Sequence, residues 1–298
     1  MKEIVILSGK GGTGKTTISG SFASLASSEM RIQLADLDVD ASNLELITQP
    51  RQIEKRDFYS GKVARIDQTT CINCGRCMDA CRFEAVKYSD GQYSIDESYC
   101  EGCLACVYQC PVDAISTEER LSGQWYRSET PYGDLFHARL IPGAENSGKL
   151  VSQVRAKAVD ACNEENCDVL LMDGPPGIGC PVTASIRGAD FAVIVSEPTR
   201  SGLHDLERIL EVASHFRVPA FLVLNKADLN LQVRGQILDF VRINNIPVLG
   251  EIPYDERIFA LQSEAKPLTE VDESAATDAI RIIWQRLKFE AGLDGKEG

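Results

Sequence analysis

The sequence predicts an α/β protein: a doubly wound, mostly parallel sheet into which a smaller α+β unit is spliced. Three observations carry that prediction. An apolar run, Ile4-Val5-Ile6-Leu7, leads into the glycine-rich Ser8-Gly9-Lys10-Gly11-Gly12-Thr13-Gly14-Lys15-Thr16-Thr17 and then into helical spacing. From residue 148 to residue 289, apolar strand-like runs alternate with amphipathic helical segments. Between these regions, eight of the eleven cysteines fall in two clusters of matching spacing. A chain of 298 residues can bury one large α/β core and still carry a small second unit.

The first strand and its glycine-rich sequel fit the phosphate-binding pattern G-x-x-x-x-G-K-[ST]. Glycine lets Gly11, Gly12 and Gly14 take backbone conformations that aim N–H groups at an anion, so residues Gly11, Gly12, Thr13, Gly14, Lys15, Thr16 and Thr17 are the candidate cradle for a triphosphate. Lys15 supplies a point charge for the outer phosphates and Thr16 a hydroxyl for magnesium. A helix over about 14–28 buries Ile18, Phe22 and Leu25. The next strand, 31–35, ends in Asp36-Leu37-Asp38-Val39-Asp40, where ligands bind in doubly wound sheets. Asp38 is the candidate site carboxylate, and Asp40 or Ser42 is expected to cap the short helix holding Leu44 and Leu46.

At about Pro50 the pattern breaks into a charged stretch, Arg51 to Asp57, and a short strand, 62–66. Then come Cys71-x2-Cys74-x2-Cys77-x3-Cys81 and, 18 residues on, Cys100-x2-Cys103-x2-Cys106-x3-Cys110-Pro111. Between them 86–88 and 93–95 form a hairpin about Asp90-Gly91. In a reducing compartment this spacing means metal rather than disulfides. Zinc usually takes thiolates as two pairs, whereas C-x2-C-x2-C sets three on one turn and leaves the fourth to the other repeat, which favours iron–sulfur. The repeat resembles the bacterial-type ferredoxin with two [4Fe-4S] clusters. That resemblance implies one cluster on Cys71, Cys74, Cys77 and Cys110 and a second on Cys100, Cys103, Cys106 and Cys81. Arg82 departs from it, standing where many ferredoxins have proline; it reads as a solvated arginine or a local influence on the second cluster.

A second hairpin, 124–127 with 135–140, turns at Thr130-Pro131-Tyr132-Gly133, and His137 alternates with apolar neighbours as a packed histidine. Helical spacing over 147–161 marks re-entry to the main domain. The predicted division is therefore 1–50 with 148–298 for the nucleotide domain, 62–117 for the ferredoxin-like insert and 118–147 for the connecting hairpin. Asp168 to Asp173 is a buried strand closing on a carboxylate that orients magnesium through its water shell, and Gly177 offers a backbone N–H to the terminal phosphate. Strands 191–196, 220–224 and 248–252 alternate with helices 202–215, 232–244 and 275–289, the last packing Ile280, Ile283, Trp284 and Leu287 on the sheet. Asn225-Lys226-Ala227-Asp228 is similar to the guanine-reading Asn-Lys-x-Asp, although Asp228 also suits a plain strand-to-helix turn. Cys180 is expected as small-residue packing, and Cys162 and Cys167 as structural.

Taken together, Lys10 to Thr17, Asp36-Leu37-Asp38 and Asp173-Gly174-Pro175-Pro176-Gly177 resemble the deviant Walker P-loop ATPases of the MinD, Mrp and ParA group, narrowed by the cysteines to members containing an inserted ferredoxin domain. The resemblance implies a P-loop NTPase fold, ATP with Mg2+ and two [4Fe-4S] clusters as cofactors, and ATP hydrolysis. It gives Lys10 a reach across a dimer to the partner's nucleotide, Asp38 the attacking water, and Asn225 the adenine. It also implies an ATP-dependent homodimer, or a heterodimer with a related ATPase. Three functions follow as expectations: gated electron transfer to a redox client, assembly of a metallocofactor on a client protein, or positioning of the ParA or MinD kind with the insert as docking or redox-sensing module. Coordinatively complete clusters suit electrons better than cluster donation. A net charge of −13 argues against nucleic acid and anionic membrane as partners, and with no signal-peptide pattern a cytoplasmic location is expected.

Overall fold

The computed structural model describes residues 1–144, 147–258, 264–271 and 273–293. The chain divides into two compact units: Met1–Arg56 with Trp125–Arg139 and Ser147–Gly298, and Asp57–Gln124 with Leu140–Asn146.

The larger unit is built on β1 (Lys2–Ser8), β2 (Ile32–Asp36), β7 (Gly133–Leu140), β8 (Val169–Pro176), β9 (Phe191–Ser196), β10 (Ala220–Asn225) and β11 (Val248–Ile252). With β3 (Arg51–Ile66) and β6 (Ile115–Thr130) they give a nine-stranded sheet of order β11-β10-β9-β1-β8-β2-β7-β6-β3. The pairs from β11 through β1 and β8 to β7 are parallel. Helices α1 (Lys15–Ser27), α5 (Ser147–Glu164), α6 (Cys180–Ile186), α7 (Arg200–His215), α8 (Leu231–Ile243) and α10 (Ala275–Ala291) alternate with the strands, and α2 (Glu45–Thr48) and α9 (Leu268–Val271) are single turns. Strand β1 lies between β8 and β9, so the strand order reverses there and opens a crevice at the carboxyl ends.

Burial explains these elements. Ile4, Val5, Ile6 and Leu7 are all fully buried, as a central parallel strand covered on both faces requires. On one face Ile18 and Phe22 of α1 meet Ile280, Ile283, Trp284 and Leu287 of α10 around Ile4, Ile6, Leu171 and Val223. The Phe22 and Trp284 rings lie 5.4 Å apart. The predicted amphipathic face of the last helix is thus core. A capping box between Ser274 and Thr277 starts α10, and Gly292 at φ 65° ends it.

The smaller unit holds α3 (Arg76–Ala80), the antiparallel pair β4 (Val86–Ser89) and β5 (Gln92–Ile95), and α4 (Ala105–Gln109). Asp90 at φ 53° and Gly91 at φ 80° make the two-residue turn expected of Asp-Gly. Its core is Val63, Ala64, Ala85, Val86 and Ile115 with Cys77, Cys100 and Cys106.

Two strands outrun the sequence pattern. The segment from Arg51, expected as an irregular charged stretch, begins a 16-residue strand, and β6 begins at Ile115. Residues 51–57 bury almost nothing at the sheet edge, so no period-two pattern marks them. The hairpin over 124–140 supplies strands to the nine-stranded sheet, with Leu34 opposite Leu135 and Ala35 opposite Phe136.

Trp284→Ala is expected to lower the unfolding free energy by about 3–5 kcal/mol, read from urea midpoints; a loss below about 1 kcal/mol would contradict its place in the core.

Candidate functional site

The loop after β1 runs into α1 through Gly12 at φ 77° and Gly14 at φ 88°, and a Cβ on Gly14 would collide with the Asn225 amide. That amide donates to the Thr13 carbonyl at 2.7 Å, and Lys226 Nζ donates to the Gly12 carbonyl at 2.9 Å. The first two residues of Asn225-Lys226-Ala227-Asp228 therefore brace the loop backbone, while Asp228 accepts the Tyr254 N–H as a turn residue does. Thr13 is buried and its Oγ1 has no hydrogen-bond partner among the described residues, a polar atom that a ligand could satisfy. Gly11 is exposed, and Thr17 is half-buried with its carbonyl taken by Ser21 Oγ. The Gly177 N–H, expected at the phosphate, donates here to the Ser8 carbonyl at 2.9 Å.

One carboxylate gathers the predicted magnesium and phosphate residues. Asp173, 1% exposed, takes Lys15 Nζ and Ser19 Oγ on Oδ1 and Thr16 Oγ1 on Oδ2, each at 2.7 Å. Lys10 lies apart from this group. Its Nζ is 2.7 Å from Glu197 Oε1 and donates to Thr199 Oγ1 at 3.1 Å and Ser201 Oγ at 3.0 Å, so its three protons are all engaged. Glu197 Oε2 takes Lys226 at 3.0 Å. Burial works against the Glu197 charge, but the hydrogen bonds from Lys10 and Lys226 prevail and hold its carboxyl below the ordinary range.

The residue the sequence did not single out is Asp36. The β2–β8 register sets it directly opposite Asp173, fully buried. Its Oδ2 accepts Ser42 Oγ at 2.8 Å, Asn43 N–H at 3.0 Å and Leu44 N–H at 2.9 Å, and its Oδ1 accepts Asp38 N–H at 3.1 Å. Asp36 thus fastens the segment leading into the short helix, whose N-cap is Leu44 with no side-chain cap; Asp40, expected to cap it, is exposed, and Ser42 donates to Asp36 instead. In the sequence Asp36 and Asp173 each stand at or near the end of a strand, but only the pairing of the two strands shows them to be neighbours. Burial, then Asp173, push the Asp36 carboxyl up to about 7 while Lys15 pulls it down. Half-buried Asp38 accepts the Ala41 N–H at 3.3 Å, and burial, opposed by Lys15, raises its carboxyl as well.

In the smaller unit all eight clustered cysteines are free thiols, and they line two cavities. Cys71, Cys74, Cys77 and Cys110 border one; Cys81, Cys100, Cys103 and Cys106 border the other. Each cavity draws three cysteines from one repeat and one from the other. Among the described residues no three His, Cys, Asp or Glu side chains are gathered tightly enough for a single metal ion. The donor set at each cavity is four thiols, the chemistry of a thiolate-held group. Burial opposes ionisation of Cys81, yet the backbone N–H groups of Phe83, Val86, Ala85 and Glu84 prevail and favour its thiolate. Arg82 is exposed. Elsewhere, Cys162 in α5 and Cys167 just after it are both buried. Cys180 is exposed, correcting the expectation of packing: it opens α6 on the surface.

A glycine-rich phosphate loop at the switch point of a parallel sheet, with Lys15 and Thr16 on a strand-end Asp173, defines a P-loop nucleoside triphosphatase. The chain belongs to the family described as the CobQ/CobB/MinD/ParA nucleotide binding domain, which it matches over residues 4–268. It is 32% identical over 287 residues, 96% of each chain, to an uncharacterized protein of Methanocaldococcus jannaschii. The fold is shared with the septum site-determining protein MinD of Pyrococcus horikoshii complexed with Mg-ADP (TM-score 0.60, 17% identity, 99% of each chain). It is shared too with the MinC:MinD cell division protein complex of Aquifex aeolicus (TM-score 0.56, 20% identity, 97% of this chain and 96% of that one). Among the described residues no helix is long and apolar enough to cross a membrane.

The Asp36 carboxyl binds its proton more tightly folded, up to about pH 7, than unfolded, near 3.8. Its contribution to stability is therefore complete below about pH 4 and lost as pH rises through about 7. Asp36→Asn should flatten that loss; equal changes in urea midpoint from pH 5 to 8 in both proteins would refute the assignment.

Proposed function

We propose that this MinD/ParA-type ATPase is a nucleotide-timed switch for docking a partner protein, with the cysteine-rich insert as its redox-responsive docking module. The observation that carries the proposal is the joining, in one chain, of a triphosphate site with a separate unit whose eight cysteines line two cavities in crossed sets. The likeness to MinD, solved as a complex with MinC, supports the docking reading over electron transfer as the primary role. Electron transfer to a redox client is the second reading, favoured by the four cysteines at each cavity, a number that leaves a bound cluster coordinatively complete.

In this proposal ATP enters with its outer phosphates on the N–H groups of Gly11 to Thr17. Lys15 would turn from Asp173 to the phosphate oxygens, and Thr16, Asp38 and, through water, Asp173 would hold Mg2+, which would supply charge neutralisation on the phosphates. Asn225 keeps the loop shaped and presents its amide beside the base. Asp38 orients a water in line with the γ-phosphate; the water oxygen bonds to phosphorus, the bond to the β-phosphate bridging oxygen breaks, and ADP, phosphate and a proton are released. Positioning and charge neutralisation supply most of the rate. Lys10 reaches the partner's nucleotide only after leaving Glu197, Thr199 and Ser201, which ties its catalytic use to pairing of two copies. In the insert, Cys71, Cys74, Cys77 and Cys110 would hold one [4Fe-4S] cluster and Cys81, Cys100, Cys103 and Cys106 the other. Bound there, the clusters supply one-electron chemistry.

Lys10→Ala is expected to bind ATP normally but to lose ATP-dependent pairing in sedimentation and nearly all turnover; unchanged turnover would sink the paired mechanism. Protein purified without oxygen should be brown, with about eight irons and eight labile sulfides per chain. A colourless preparation holding zinc would remove the clusters from the proposal.

A further inference from the structure

We infer that Glu45 is a positioning residue for ATP hydrolysis, anchoring the far end of the Asp38 loop to the β6–β7 pair through Arg139 and His137; the inference rests on the nucleotide-switch reading above. Glu45 is the first residue of α2 and directly follows the segment that Asp36 pins at Ser42, Asn43 and Leu44. Leu44 is 1% exposed, so the segment cannot slide without carrying Glu45 along. The Glu45 side chain is only 13% exposed, and a carboxylate that deep needs partners.

Both partners sit on β7. Arg139 Nη2 donates to Glu45 Oε1 at 2.6 Å, and Glu45 Oε2 lies 3.5 Å from His137 Nδ1. His137 is 4% exposed; its Nε2 is 3.2 Å from Ser128 Oγ on β6, and its ring stacks on Tyr126 of β6 at 5.1 Å. The charged and titratable groups facing it are Glu45 from α2, Arg139 from its own strand and Tyr126 from β6. His137 Nδ1 is buried with no hydrogen-bond partner among the described residues, so the pair stands a few tenths of an ångström short of a good bond. A small movement of α2 toward β7 makes that bond, and movement away abandons it. The route Glu45–His137–Ser128 therefore registers the place of the Asp38 loop on both strands. Strand β6 is also the one along which the backbone runs from the cysteine-rich segment.

The test uses the full chain. Glu45→Ala is expected to lower kcat for ATP about tenfold while KM stays within about twofold. Glu45→Gln, which keeps an oxygen for Arg139, should recover most of the rate. In hydrogen exchange, a nonhydrolysable ATP analogue with Mg2+ should change protection of both the phosphate loop and residues 124–140 in the wild type. In Glu45→Ala the change at 124–140 should vanish and that at the phosphate loop remain. Unchanged kcat, parallel loss of kcat and KM, or a persisting response at 124–140 overturns the positioning role. Should Glu45→Ala fail to fold, Arg139→Ala is read by the same criteria. A wild type whose phosphate loop ignores the analogue overturns the nucleotide reading itself, and the inference with it.

Discussion

The buried contact between Lys15 and Asp173 is the constraint on which the site depends. An ammonium 7% exposed and a carboxylate 1% exposed face each other at 2.7 Å, and Thr16 and Ser19 complete the carboxylate's hydrogen bonds, offsetting the cost of burying both groups. Strand register makes the contact possible. Pairing of β1 with β8 brings the phosphate loop beside the end of β8, and pairing of β2 with β8 brings Asp36 opposite Asp173. A one-residue slip in either pair would turn those carboxylates to the other face of the sheet. The long apolar strands that fix the register are therefore as much a part of the chemistry as the loop.

From that contact the site spreads outward through groups that trade partners. Asp36 shares the low-dielectric pocket with Asp173 and spends its oxygens on the N–H groups of Asp38, Asn43 and Leu44, so whatever alters the charge at Asp173 is felt by the loop carrying Asp38. On the opposite side Glu197 holds Lys10 and Lys226, and Lys226 in turn holds Gly12. The phosphate loop is thereby fastened from both flanks by bonds between charged groups, which are strong when made and selective about geometry.

Much of this was legible in the sequence because the signals are local. Ile4 to Thr17 reads as strand, phosphate loop and helix; the strand ends at Ser196 and Ile252 fall where the apolar runs end; and Asp90-Gly91 announces its hairpin. What stayed hidden depends on contacts distant in sequence. Residues 51–57 form strand at a sheet edge with little to bury, so their alternation carries no signal. Asp36 looked like the lesser member of Asp36-Leu37-Asp38 because only register with a strand 137 positions on reveals its neighbour. Lys10 was singled out in the sequence, but its three partners, Glu197, Thr199 and Ser201, were not, because they lie beyond residue 196. Cys180 looked like packing because it sits among glycines and prolines, yet the turn at Gly179 presents it to solvent.

The charges bear on how the proposed switch would couple nucleotide to pairing. Asp36, Asp38, Asp173 and Glu197 face Lys10, Lys15 and Lys226, so the ionised cluster is already one negative charge out of balance. Adding a triphosphate deepens that imbalance at a cost that grows as the dielectric falls. Three changes reduce it: protonation of Asp36, whose carboxyl is already poised near neutrality; entry of a divalent cation between Thr16, Asp173 and the phosphates; and arrival of a further lysine from outside. Lys10 cannot be that lysine while Glu197 neutralises it. A second copy can supply one once its own Lys10 has been released. In the proposed switch, pairing would then complete the nucleotide site electrostatically, and a partner protein that senses the pair would sense the γ-phosphate.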